Sequence, residues 1–402
     1  MLYLIIILVF TATILSVNIS GSLSQHNSGN LDNSVLPYDV VTNPRLRRSL
    51  VASPSPIRKP TTSSGFNNWI QSDSATVQFT EISSDSSGQY LVASAASSGN
   101  GTAVGSGVYR STNYGVSFSI LSFTNSVPYN TISSSSDGTY LLGTTSNLIT
   151  FLGYMYVSSN SGAIWSKVTT GIANNGQLQW GSVSMSGDAL FMVACTLPNG
   201  ALNGQVYISS SNGFYWTLTT LPNQNWMSVT ISSTISYADS SVIAAASTSA
   251  TDSGFIYVST NKGSSWSKTS APASAWQSIT SASTGIYLGA VTAPMGCSPG
   301  CYVYISSNSG TRWSNPTTGL LSSIPWQDII SDASFQYLAV AAFGGNIFVS
   351  SDFGISFSQV ASSRNWYGIT SNSNGKLLAV VNGQNIYVDN ELQQVFTILI
   401  DF

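Results

Sequence analysis

The chain has 402 residues, carries a formal net charge of −3 and has 7% charged residues, where an ordinary globular protein has roughly 25%. Ten Trp, nineteen Tyr and sixteen Phe supply enough apolar surface to bury a large core, which excludes a disordered chain. The slight acidity leaves no basic footprint for a phosphate backbone, so nucleic acid is excluded as a partner class.

In chain order, residues 2–17 form an almost unbroken apolar run that ends at the small residues Ser20, Gly21 and Ser22. This predicts an export signal over residues 1–21 and a secreted or cell-surface protein. A retained membrane anchor is the competing reading, because the run lacks a basic start, although it falls short of the about 20 residues a span needs. Residues 22–64 read as a polar leader. Arg45, Leu46, Arg47 and Arg48 within it resemble the sites cut by furin-type proteases, or form a solvated charged linker. The single histidine, His26, also lies there.

From residue 65 onward two phrases alternate. The first is a short run led by an aromatic: Phe79, Tyr129, Trp180, Trp226, Trp276, Trp326 and Trp366 each open one, seven in all. A polar turn and a Leu-, Ala- and Val-rich run follow, as at Leu377, Leu378, Ala379, Val380 and Val381. The second phrase is an Ile-Tyr-Val-like run closed by Ser-x-Asn-x-Gly-x-x-Trp, returning about every fifty residues. Each unit therefore reads as four short strands, here A to D, punctuated by Gly, Asn and Ser. No long segment has a 3.6-residue period. Four antiparallel strands repeated seven times predict an all-β, seven-bladed β-propeller over residues 65–402.

The second phrase comprises Ser111, Asn113 and Gly115; Ser158, Asn160, Gly162 and Trp165; Ser209, Gly213 and Trp216; Ser259, Asn261, Gly263 and Trp266; Ser306, Asn308, Gly310 and Trp313; and Ser350, Asp352 and Gly354. It resembles the Asp-box, or BNR repeat, of sialidase-like propellers. The resemblance covers residues 108–357 and implies that these residues are scaffold at the C–D turns, away from the active face. Ser and Asn side chains are expected to bond turn backbone, with Gly in a left-handed position. The seventh unit departs from the pattern after Val388. Its outer strand is expected either from residues 395–400 or from residues 66–71, where Gly65 and Trp69 look like the detached end of such a turn.

Chemistry is sparse. Sialidase activity would require three converging arginines, whereas the propeller holds only Arg110, Arg312 and Arg364, in unrelated places. Without a histidine in the domain no Ser-His-Asp triad is possible. The third residue of strand A should line the central channel: Glu81, Thr131, Ser182, Ser228, Ser278, Asp328 and Gly368. Glu81 and Asp328 are thus a candidate acid pair for a glycoside hydrolase or polysaccharide lyase, or merely two carboxylates bonded to a wet channel wall. Cys297 and Cys301 flank a turn-prone insert and are expected to pair as a disulfide, while Cys195 reads as a buried thiol. No second Cys or His pair exists for a metal site, and no cofactor is implied. Asn100 heads a glycosylation sequon.

The B–C and D–A loops share one end of the propeller, carry little charge, and suit a neutral partner. Tyr367, which breaks the repeat, and Arg364 are the candidate ligand-binding residues there. The repeated Trp residues could stack on sugars but read first as core. The expected function is a monomeric, secreted, non-catalytic scaffold that binds a glycan or an extracellular protein. A carbohydrate-active enzyme using Glu81 and Asp328 is the alternative. A third possibility resembles photosystem II assembly factors of the Ycf48 type, with an apolar leader and the lack of an arginine-rich face standing against it.

Overall fold

A computed structural model describes residues 69–390, apart from residues 76, 98–104, 125, 148–149, 200–203, 234–241, 249–253, 294–299, 317 and 321–323. The leader, His26, Asn100, Cys297 and residues 395–400 therefore lie outside the described residues, as does the Cys297–Cys301 pairing. The chain builds seven antiparallel sheets in succession. Consecutive strands pair in the order A-B-C-D, with strand A innermost, except that the blade 5 sheet has three strands and blade 7 takes its fourth strand from the N-terminal side. Strand A runs over Gln78–Ser84, Tyr129–Ser134, Trp180–Met185, Asn225–Ile231, Trp276–Ser281, Trp326–Ser331 and Gly368–Ser371 in blades 1 to 7. Among the described residues the only helical segments are two 3-10 turns, Ser122–Thr124 and Ala173–Gly176.

The strand-opening aromatics explain the repeat. Phe79, Tyr129, Trp180, Trp226, Trp276, Trp326 and Trp366 are all at most 2% exposed. Each meets an aromatic on strand C of its own blade, from Phe79–Tyr109 at 5.3 Å between ring centroids to Tyr129–Tyr156 at 6.2 Å. Trp180–Tyr207, Trp226–Tyr257, Trp276–Tyr304, Trp326–Phe348 and Trp366–Tyr387 are edge-on, the arrangement that the ring quadrupoles favour. Burying each ring removes it from water at a gain of roughly 1.5–3 kcal/mol. The Trp residues are core, and none of Trp226, Trp276, Trp326 or Trp366 is available to stack on a sugar. Between the blades, small residues let the sheets close up. Ala93 and Ala95 in blade 1, with Leu377, Ala379 and Val381 in blade 7, belong to one buried cluster that seals the last blade to the first.

Ring closure uses the N-terminal segment. Ile70–Gln71 is strand D of blade 7, antiparallel to Ile386–Asn390 with Ile70 opposite Val388 and Gln71 opposite Tyr387. Trp69 takes the place of the turn-closing Trp of the other blades: its indole N–H donates to Val360 O at 3.2 Å and its ring sits 6.5 Å from Trp366. In blade 5 the fourth strand is reduced to the bridge between Ile305 and Ser314, whose backbone groups bond both ways at 2.8 Å.

The C–D turns are held as local chemistry demands. The Ser hydroxyl accepts the Gly amide four residues on, at 2.9 Å for Gly115 to Ser111 and for Gly162 to Ser158, and likewise in the other four turns. The Asn or Asp carbonyl oxygen accepts the Ser hydroxyl, and in most of the turns the amide four residues further along. In blade 3 Ser211 does this work, accepting Tyr215 N at 2.9 Å. Gly115 has φ +79°, and a Cβ there would lie 2.6 Å from Val388 Cγ2, so two separate constraints require glycine.

Candidate functional site

The innermost strand of each blade has one unpaired edge, facing the axis. A backbone N–H there must find an acceptor or remain unsatisfied. A β-bulge lies between the opening aromatic of strand A and the second residue after it in blades 1 to 6, for example between Phe79 and Glu81 and between Trp326 and Asp328. Such a bulge re-aims the side chain that follows it. The third residue is thereby turned toward the next blade, where it reaches the amide of that blade's fourth residue. Ile132 N donates to Glu81 Oε2 at 2.9 Å, Val229 N to Ser182 Oγ at 3.3 Å, Ile279 N to Ser228 Oγ at 3.2 Å, and Ile369 N to Asp328 Oδ2 at 3.0 Å. Thr131 departs from this, sharing a 2.8 Å hydroxyl contact with Thr144.

Asp328 is the most heavily used of these acceptors. Besides Ile369 N, it takes Ser278 Oγ at 2.7 Å and its neighbour Ile329 N at 2.8 Å on Oδ1, so one carboxylate ties blades 5, 6 and 7 together. Blade 7, between the two acids, contributes only Gly368, whose missing Cβ would lie 3.1 Å from Glu81 Cα. The acids keep some surface open to the channel yet are ringed by protein. Burial pushes Glu81 up to about 8, with the Ile132 amide pulling the other way and the charge of Asp328 adding to the rise. Burial likewise raises Asp328 to about 6 against the lowering effect of Ser278, Ile369 and Ile329. Both carboxyls therefore keep a proton to higher pH than ordinary ones, Glu81 the more so.

At one end of the channel, neighbouring blades are tied together by backbone bonds between their A–B turns. At the A–B turns, Ser86 N donates to Ser136 O, Ser136 N to Gly187 O, and Gly187 N to Ser233 O. On the other side Ser283 N donates to Ala333 O, Ala333 N to Ser373 O, and Ser373 N back to Ser86 O, all close to 2.9–3.0 Å. At Gly187 there is no room for a side chain, since a Cβ there would lie 2.4 Å from Ser136 Oγ.

At the B–C and D–A loop end, blades 6 and 7 bring Arg364 and Tyr367 together with residues that the repeat pattern does not single out. Strand B of blade 6 is long, Leu338–Gly345, and Arg364–Asn365 pairs with its tip, opposite Gly345 and Phe343. The Arg364 guanidinium lies over the Tyr387 ring at 4.7 Å and donates to Tyr387 Oη at 2.9 Å. Tyr367 packs edge-on against the exposed Phe343 at 5.5 Å. Beside them a cleft of about 530 Å³ is lined by Ile324, Pro325, Gly344, Gly345, Asn346 and Phe348, among others. Its sequence signal is the Gly344-Gly345 pair following an aromatic at a strand tip.

The remaining candidates are dispersed. Arg110 lies over Tyr90 in blade 1 at 4.9 Å, and Arg312 lies on the C–D turn of blade 5, so the three arginines sit on different blades. Asp85, Asp137, Asp188 and Asp332 cap A–B turns, each accepting a turn hydroxyl and a backbone amide. Cys195 is a buried free thiol whose pKa burial raises to about 12, which makes it inert. Among the described residues no group of three or more His, Cys, Asp or Glu side chains comes together.

No protein-family model matches the chain, and no curated protein matches it. Solved structures do. One titled "YCF48 bound to D1 peptide" is similar at 15% identity and a TM-score of 0.55, covering 82% of this chain and 96% of the other. YCF48 from Cyanidioschyzon merolae is similar at 12% identity and a TM-score of 0.56, covering 80% and 98%. At such identity the likeness is one of fold, the seven-bladed propeller.

Proposed function

We propose that this chain is a non-catalytic propeller that holds a segment of a protein partner at its B–C and D–A loop end, in a secreted or cell-surface setting. The cleft beside Arg364, Tyr367 and Phe343 carries the reading. It combines an apolar floor at Ile324, Pro325 and Phe348 with the accessible backbone of Gly344 and Gly345, which suits an extended peptide. YCF48, whose fold this chain shares, has been solved with a bound D1 peptide, a precedent for such use of the fold in that protein. The charged groups of the channel support a scaffold role as well, since Glu81 and Asp328 serve backbone amides that would otherwise be unsatisfied.

A peptide-display selection against the full chain tests this, with Tyr367→Ala and Arg364→Ala as counter-targets. Selected peptides that lose affinity at least about tenfold on either variant, about 1.4 kcal/mol, support the reading. A blank selection together with binding on a glycan array would replace the protein segment by a sugar.

The carbohydrate-active alternative retains one favourable feature: Glu81 is raised further above its ordinary value than Asp328 is, which sets two carboxyls apart. Product release from the same array, abolished in Glu81→Gln and in Asp328→Asn, would establish it in place of the scaffold.

A further inference from the structure

Blade 7 is completed by a strand from the other end of the chain, and that strand is slight. Two residues, Ile70 and Gln71, pair with strand C. The Ile70 side chain is 54% exposed, and the Gln71 amide makes an exposed bond to Asn385 Oδ1 at 3.0 Å. The residues that follow are fastened to blade 1: the Ser72 hydroxyl donates to Gly115 O, Asp73 N to Val116 O at 3.0 Å, and Phe118 N to Asp73 O at 2.8 Å. Residues 69–71 can therefore leave blade 7 while the entry into blade 1 stays in place, apart from the bond from Ser72 N to Ile386 O at 2.9 Å. Their departure bares the edge of Ile386–Asn390, and a bare edge calls for another strand.

The sequence holds a second strand for that edge. In the six other blades the residue that faces the place of Val388 lies nine positions beyond its partner. Arg110 faces Ser119, Val157 faces Ser166 and Val349 faces Ser358, and blades 3, 4 and 5 keep the same spacing. An aromatic stands just before each, as at Phe118, Trp165 and Phe357. Blade 7 keeps this frame as far as Asp389, since Leu378 faces Asp389 as Leu91 faces Ser111. Nine positions beyond Val388 is Thr397, with Phe396 just before it and Ile398 just after.

We propose that the outer edge of blade 7 is also the docking site of residues 396–398, which replace residues 69–71 there in a minor state. Phe396 takes the place of Trp69 beside Trp366, and Thr397 and Ile398 take those of Ile70 and Gln71, opposite Val388 and Tyr387. Two effects set the balance. The hairpin from Val388 to Thr397 closes a far shorter loop than the one joining Ile70 to Val388, at a smaller entropy cost. Against it, Gln393 stands where the six other turns have glycine at positive φ, a conformation that a side chain resists. The exchange unfastens residues 69–71 from the ring without leaving the edge of blade 7 open.

The test reads Trp69 by fluorine NMR in the full chain labelled with fluorotryptophan, its resonance assigned by its loss in Trp69→Phe. The expected spectrum gives residue 69 a major buried signal and a minor solvent-like one. Gln393→Gly should raise the minor signal several-fold, and Phe396→Asp should abolish it. The signals of Trp180, Trp226 and Trp276, in blades 3 to 5, should stay in place throughout and report an intact fold. A minor signal that survives Phe396→Asp means that the strand frays with nothing taking its place, and it overturns the proposal. So does a single buried signal for residue 69 in both the parent and Gln393→Gly.

Discussion

Glu81 Oε2 accepts the backbone amide of Ile132 at 2.9 Å, so a side chain of the first blade completes the hydrogen bonding of the second. The bond is made at a carboxyl group held up at about 8, chiefly by burial. Because the folded-state value lies above the ordinary 4.5, the folded protein binds a proton that the unfolded chain has released between those two values. Its stabilising contribution is full below about pH 4.5 and is lost as pH rises through about 8. Glu81→Gln keeps the acceptor and removes the charge. Melting curves should show the variant close to the parent at pH 4 and more stable at pH 9, by an amount on the order of a few kcal/mol. Equal melting temperatures at both pH values would refute the burial of this group.

Asp328 serves three donors from three blades. Asp328→Ala leaves the amides of Ile329 and Ile369 without acceptors and should cost about 2–4 kcal/mol in urea unfolding. Asp328→Asn retains one carbonyl oxygen and should cost distinctly less. If the two variants unfold alike, the bonds to Asp328 contribute nothing that its carbonyl geometry explains.

Trp69 fastens the strand that closes the ring. Removing its ring in Trp69→Ala eliminates the bond to Val360 O and the packing on Trp366, a loss of about 3 kcal/mol. Hydrogen exchange should then rise first in Ile386–Asn390, whose edge Ile70–Gln71 covers. Uniform exchange throughout the molecule would indicate that blade 7 is held by its inter-blade contacts alone.

Two glycines with positive φ separate backbone strain from crowding. Gly115→Ala meets both, at φ +79° and 2.6 Å from Val388 Cγ2, whereas Gly344→Ala has φ +65° and nothing nearer than 3.7 Å. Chemical denaturation should place Gly344→Ala about 1 kcal/mol below the parent and Gly115→Ala well beyond that. Similar losses would mean that the turn shifts freely away from the neighbouring blade.

The repeat made the propeller legible because its signals are local or periodic. An aromatic opens each strand A, and Ser, Asn and Gly shape each C–D turn through bonds that span four residues. The seven units, the four strands in each, the buried Trp residues and the position of Glu81 and Asp328 at the third place of strand A all follow from that reading. Ring closure was open between two termini in the sequence, since either segment has strand composition. Only the register opposite Val388 and Tyr387 shows residues 70–71 in that place. The company kept by Arg364 and Tyr367 was equally invisible, because Phe343 and Gly344 lie on strand B of blade 6, Tyr387 lies on strand C of blade 7, and no period relates them.

What the sequence by itself determined is the unit: aromatic spacing, turn chemistry and strand alternation are short-range properties that each stretch of about fifty residues repeats. What the tertiary structure decided is everything that depends on one blade meeting another. The amide of Ile369 gives Asp328 its partner, the charge of Asp328 adds to the rise that burial gives Glu81, and backbone bonds between A–B turns tie neighbouring blades at one end of the channel. Such contacts join residues roughly forty to fifty positions apart, or opposite ends of the chain, through closure of a circle, and the angle at which neighbouring blades pack is written in no single unit.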